Sequence, residues 1–211
     1  MEKVMKIYDL ESLPNPLRVR IALAEKGITD LIDFISIDVL NGEHRHPEFL
    51  VKNPSGAVPV LELDDGTYIS ECTAITEYLD HTFSGISLTG KSPQNRAMIH
   101  MMQRRAEQYL LDAAVGYFHH ATDGLGPKLE TVQIKAWGEQ QRVRALEGMR
   151  YFDAVLSNNL YVAGDNFSMA DITVFAGLAF ADSVNLEISS ELENLIIWRN
   201  RIAKRPSISG L

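Results

Sequence analysis

Asn53–Asp80, NPSGAVPVLELDDGTYISECTAITEYLD, is the stretch around which the chain is organised. Val58–Leu63 reads as a strand and Thr67–Ser70 as its partner. Asp65-Gly66 between them is a dipeptide that tolerates the positive φ of a two-residue hairpin. Ser70 is then placed to cap a helix whose buried stripe includes Ile75, Tyr78 and Leu79. Pro59 stands at the start of a strand, where it cannot donate to a ladder. A cis Val58-Pro59 bond there leaves the backbone of Val58 turned toward a ligand. Ser70-Glu71-Cys72-Thr73 opens the helix, and a helix start suits a carboxylate. Together these features describe a seat for a peptide-like anion held by its backbone and its charge. An edge-strand proline beside an ordinary helix cap is the plainer alternative.

Upstream, Lys6–Leu10 reads as a first strand and Leu17–Lys26 as a helix stopped by Gly27. Phe34–Val39 alternates as a second strand, and a polar connection, Gly42–Pro47, leads to a short helical piece at Glu48–Val51. The order is β-α-β-α-β-β-α, which suits a small mixed sheet covered by helices, as in the thioredoxin-like fold. No Cys-x-x-Cys is present, so dithiol chemistry is not expected. From about residue 84 to 92 the chain is rich in Ser, Gly and Thr and reads as a linker. Beyond it the period is helical. Met98, Met102, Ala106, Tyr109 and Ala113 form one stripe; Ala145, Met149, Phe152 and Leu156 form another. Gly124 and Gly126 open a loop at Asp123–Pro127, and later helices are expected at Met169–Asp182 and Ser190–Lys204. Ser168 and Asp171 make a capping box ahead of the first of these, with Phe167 and Ile172 as its staple. The expected fold class is α+β: a first domain at 1–83, a linker at 84–92 and an all-helical bundle at 93–211.

The order and spacing of the central parts resemble the glutathione-binding half of the glutathione transferases. These parts are a Val-Pro strand, a short hairpin, an acidic-plus-small pair and a helix of the form A-I-x-x-Y-L. Tyr8, Val19-Arg20, Leu23 and Gly27 also look like that family's first strand and helix. The runs RVRIALAEK, KNPSG, ECTAITEYLD and FHHATDGLGP are most similar to a theta-like, yeast-type subclass found in fungi and bacteria. The resemblance implies attack of the glutathione thiolate on a small apolar electrophile, with glutathione as co-substrate and no other cofactor or metal. It also implies a homodimer.

Carried over residue by residue, the resemblance makes Val58, beside Pro59, pair its backbone with the tripeptide. Glu71 and Cys72 stand where the family has Glu-Ser, so a hydroxyl contact is lost. His44, and less directly Lys52, would meet the glycyl carboxylate; a solvated loop histidine is the plain alternative for His44. A free thiol has a pKa of about 8.5, and lowering it by about 2 units takes about 2.7 kcal/mol of preference for the thiolate. The usual catalytic serine position falls on Leu13, with Ser12 one residue early and Tyr8 in the strand. His119 is therefore the other candidate activator, with His120 beside it; Val115, one turn earlier, supplies no hydroxyl. Leu13, Tyr109, Gly116 and His120 would line the electrophile pocket between the domains. Cys72 could alternatively form mixed disulfides in a peroxidase or thiol transferase, though a small buried filler is preferred. A non-catalytic glutathione carrier is the third possibility.

Composition bounds the partners. Hydrophobic residues make up 45 % and charged residues 23 %, ordinary for a globular protein. The net charge of −8 falls entirely before residue 84, where 7 Lys/Arg face 15 Asp/Glu. An acidic first half argues against nucleic acid and gives an anionic ligand no long-range steering. Neither a leader nor an apolar run of about 18 residues is read, so no membrane span is expected. One cysteine suits a reducing cytoplasm.

Overall fold

The computed structural model describes residues 5–210. They divide into two compact units that meet in sequence between Leu88 and Thr89. A thioredoxin-like α/β arrangement occupies the first, and helices alone the second. Leu88 and Thr89 are both buried, so the segment expected as a loose linker is packed at its midpoint.

In the first unit β1 (Met5–Asp9) pairs in parallel with β2 (Ile32–Ser36) and antiparallel with β3 (Val60–Glu62). β4 (Tyr68–Ser70) completes the sheet in the order β2-β1-β3-β4. Helices α1 (Pro14–Lys26) and α3 (Cys72–Thr82) pack together over an apolar cluster including Ile7, Val19, Leu23, Leu61, Ile75 and Leu79. Helix α2 (Pro47–Leu50) is a single turn. Gly27, at φ 66°, closes α1: its amide and that of Ile28 reach back to carbonyls of the last turn.

Several expectations are corrected here. β2 lies two residues earlier than read, because its parallel register against β1 starts at Met5↔Ile32. The hairpin loop has three residues, not two: Glu62 pairs with Tyr68, the Gly66 amide bonds the Leu63 carbonyl at 2.9 Å, and Gly66 sits at φ 86°. Asp65 accepts from the Thr67 amide at 2.8 Å and stiffens that loop. Ser70 does not cap α3, since it is spent as the last ladder residue. The cap position falls to Glu71, whose side chain makes no capping bond.

In the second unit α4 (Pro93–Ala106) runs through a π turn (Glu107–Leu111) into α5 (Asp112–Ala121). The helices α6 (Lys135–Leu156), α7 (Met169–Ser183), α8 (Glu193–Ile202) and α9 (Pro206–Ser209) follow. The π turn adds a residue and shifts the buried stripe. Met102, Ala106, Leu110, Leu111, Ala113 and Ala114 face inward, while Met98 is 44 % exposed and Tyr109 only half-buried. Gly148 of α6 seats against this turn, where a Cβ would collide with the Tyr109 carbonyl. The α6 stripe Ala145, Met149, Phe152 and Leu156 is buried as read. So is the capping box, in which the Asp171 carboxylate accepts from the Ser168 amide at 3.0 Å. No helix among the described residues is long and apolar enough to cross a membrane.

Candidate active site

Sheet register gathers three loops of the first unit at one end. Tyr8 lies opposite Val60 and Val60 opposite Ser70, so β1 ends where β3 begins and β4 finishes. The segment leading to α1, the Val58-Pro59 pair and Glu71 therefore all leave the sheet at that edge. Val58-Pro59 is a cis bond, and Val58 lies beyond the last ladder pair. Asn53 organises the approach: buried, it donates to the Ala57 carbonyl at 2.7 Å and accepts from the Ser55 amide and hydroxyl. Gly56 is required there on two counts, a φ of 63° and a Cβ position 3.1 Å from the His44 carbonyl.

Glu71 has φ 69° and ψ 119°, a left-handed backbone that costs a non-glycine residue on the order of 1–3 kcal/mol. It is exposed, and the first-turn amides of α3 follow directly behind it, beyond the reach of the intrahelical ladder. Cys72 turns the other way. Its thiol sits 3.4 Å from the Asn15 carbonyl and its side chain belongs to the apolar cluster, which joins the start of α3 to the first turn of α1. Nothing in the sequence signals the Glu71 conformation; an acidic residue between a strand and a helix reads as an ordinary cap.

The remaining candidates of this unit differ from their expected roles. His44 is not a solvated loop histidine: only 7 % exposed, it leaves its Nδ1 without a partner among the described residues. Burial, then the neighbouring Arg45 and His46, push its pKa down, so it is a neutral hydrogen-bonding group rather than a cation. Lys52 donates to the Tyr68 hydroxyl at 3.2 Å and lies over the rings of Tyr8 and Tyr68. The Tyr68 hydroxyl bond pushes its pKa up, so it stays charged. Tyr8 donates its hydroxyl to Glu62, and burial and that carboxylate push its pKa up. Its proton is thereby committed inside the sheet. Ser12 is exposed in the loop before α1, and Leu13 holds the cap position of that helix with no side-chain bond.

In the second unit His119 and His120 end α5. His119 Nδ1 lies 2.6 Å from Glu130 Oε1, and its carbonyl accepts from Gln133 at 2.7 Å. His120 Nδ1 accepts from the Ile134 amide at 3.1 Å, a structural contact at the helix end. Tyr109 packs edge-on to Tyr151 of α6 at 5.5 Å, with Arg144 over its ring. Gly116 faces Gln141 of α6, whose side chain a Cβ would strike at 2.9 Å. Tyr109 and Gly116 thus serve the packing of α6 on the helix that carries them.

Comparison with known proteins settles what this edge belongs to. Residues 14–82 match the family described as "Glutathione S-transferase, N-terminal domain", and residues 115–206 the corresponding C-terminal domain. The chain belongs to the glutathione S-transferase family. It is 56 % identical to glutathione S-transferase 2 of Saccharomyces cerevisiae, over 100 % of this chain and 91 % of that one. The crystal structure of Gtt2 from the same yeast superposes with a TM-score of 0.96, at 56 % identity, over 97 % of this chain and 99 % of that one. A glutathione S-transferase domain-containing protein of Marinobacter aquaeolei gives 0.95 at 57 % identity, over 96 % and 99 %. The yeast-type subclass of the family therefore holds for this chain, as does enzymatic glutathione transfer.

Proposed function

We propose that this chain conjugates the glutathione thiolate to a small apolar electrophile, with His119 as the group that takes the thiol proton. The observation that carries the assignment is the state of the hydroxyls at the start of α1. Leu13 replaces a serine there, and the Tyr8 hydroxyl is already given to Glu62. His119 is an imidazole 34 % exposed, and its Nε2 is free to accept a proton directly or through water. The S–H bond breaks, the S–C bond forms, and the proton leaves with the displaced group or returns to solvent.

In this reading Val58 pairs its backbone with the cysteinyl unit beside Pro59, and the α3 amides behind Glu71 and Cys72 hold the γ-glutamyl carboxylate. His44, buried with an unpartnered nitrogen, donates to the glycyl carboxylate, with the Lys52 charge nearby as a weaker contributor. Leu13 and Tyr109 offer apolar surface to the electrophile. Burial of Cys72 in the apolar cluster speaks against a thiol-transferase role. We place the enzyme in the cytoplasm as a homodimer, for which the exposed Met98 and Met101 of α4 offer apolar surface.

His119→Ala is expected to lower kcat by about 100-fold while KM for glutathione changes by less than about 2-fold. Ultraviolet titration of bound glutathione checks the cause. In the wild type the thiol titrates below its free value, and in the variant that shift is lost. A shift surviving in the variant transfers the role to Ser12. Glutathione bound to the wild type with an unshifted thiol leaves only a carrier.

A further inference from the structure

Of the two adjacent histidines, the structure holds opposite ring tautomers, and the cause is on the page. Glu130 Oε1 already accepts the Leu125 amide at 2.8 Å, so it is an acceptor. An imidazole nitrogen 2.6 Å from it must carry the hydrogen, which makes His119 Nδ1 the donor and leaves Nε2 with its lone pair. At His120 the roles reverse: Nδ1 accepts the Ile134 amide, so its hydrogen sits on Nε2. We infer that Glu130 is the positioning residue of the reaction: its carboxylate fixes His119 in the Nδ1–H tautomer and aims Nε2 as the base. This rests on the reading of His119 given above.

The seat of Glu130 is built for that contact. Its side chain is 11 % exposed. Gly124 passes so close, at φ 55°, that a Cβ would collide with the carboxylate. Gln133 clamps the same loop to the helix end, donating to the carbonyls of His119 and Thr122 at 2.7 and 2.8 Å. Thr122 in turn bonds the Phe118 carbonyl and accepts from Gly124. An imidazole held by a carboxylate loses neither its orientation nor its proton-accepting nitrogen when solvent fluctuates around it.

The test combines long-range ¹H–¹⁵N spectra of the histidine rings with steady-state kinetics on the full chain. In the wild type His119 should show protonated Nδ1 and His120 protonated Nε2. Glu130→Leu should return His119 to the Nε2–H form and lower kcat on the order of 10–100-fold, with KM for glutathione within about 2-fold. Glu130→Gln keeps an oxygen for Nδ1–H and fills the same space. It should retain the tautomer and recover most of kcat, even if the leucine variant unfolds. An Nε2–H tautomer at His119 in the wild type overturns the inference, as does an unchanged kcat in folded Glu130→Leu. Loss of activity in His119→Ala combined with either of those results removes Glu130 alone. Full activity in His119→Ala removes the base and, with it, the positioning role.

Discussion

Asp171→Ala should lower the unfolding free energy by about 4 kcal/mol, the largest loss expected from any single substitution in the second unit. Its carboxylate is fully buried and collects four donors: the amides of Val162 and Ser168, the Ser168 hydroxyl and the indole of Trp198. Alanine strands the Val162 amide and the indole N–H, each worth about 1–3 kcal/mol. Three segments, the turn at Val162, the start of α7 and α8, lose their common anchor together. Urea denaturation measures the loss, and a value below about 1 kcal/mol would sink the argument.

The same carboxylate makes stability depend on pH in an unusual direction. Burial pushes its pKa up to about 6, and the four donors pull back only part of the way. In the unfolded chain it titrates near 3.9, so the native state binds the proton more readily. The contribution is therefore complete below about pH 4 and is lost as the pH rises through about 6, a change of about 3 kcal/mol. Asparagine does not titrate. Between pH 4 and pH 7, roughly, the wild type should lose stability relative to Asp171→Asn by that amount. A constant gap between the two proteins would show that the donors hold the carboxylate ionised throughout.

Lys26→Met should cost about 3–5 kcal/mol in the first unit. The ammonium group is 1 % exposed and Asp80 3 %. Lys26 donates to Asp80 Oδ1 at 3.0 Å and to the carbonyls of Asp80 and Ile86. Asp80 in turn accepts from the Leu88 amide at 3.0 Å, so the pair fastens the end of the unit onto α1 and α3. Methionine fills the space but leaves a carboxylate buried beside no cation. Replacing both partners, Lys26→Met with Asp80→Leu, should recover about half of the loss. Strict additivity of the two single changes in a denaturation cycle would mean that the pair is not coupled.

The chain announces its fold more openly than its chemistry. Pro59, Asp65-Gly66, Gly27 and the Ser168–Asp171 box are local signals whose geometry depends on a few neighbouring residues, and each lies at the junction it marks. Glu71 gives no such warning, because its positive φ is imposed by the packing of β4 and α3 on either side. The third residue of the hairpin loop escapes for a related reason: Asp65-Gly66 serves equally well in both loop lengths, and only the ladder register chooses. His119 stands out by residue type, but its partner Glu130 comes from a loop 11 residues away. No periodicity links the two, and a glutamate in a polar loop reads as a solvated charge. His44 reads the same way from its polar neighbours, and only the fold shows it buried.

Each residue of an α-helix turns the chain by about 100° and advances it by about 1.5 Å. Between Ser92 and Ala121 the helix counts out one residue more than a regular spiral would need, at Glu107–Leu111. His119 is consequently addressed by number as well as by type. Deleting a single residue at the π turn would restore a regular spiral there, yet swing everything beyond it by about 100° and carry the imidazole away from Glu130. Along this helix, descendants of the chain can exchange side chains freely on the outer face, but an odd insertion or deletion has no neutral place to occur. Length, here, is inherited as strictly as any catalytic group.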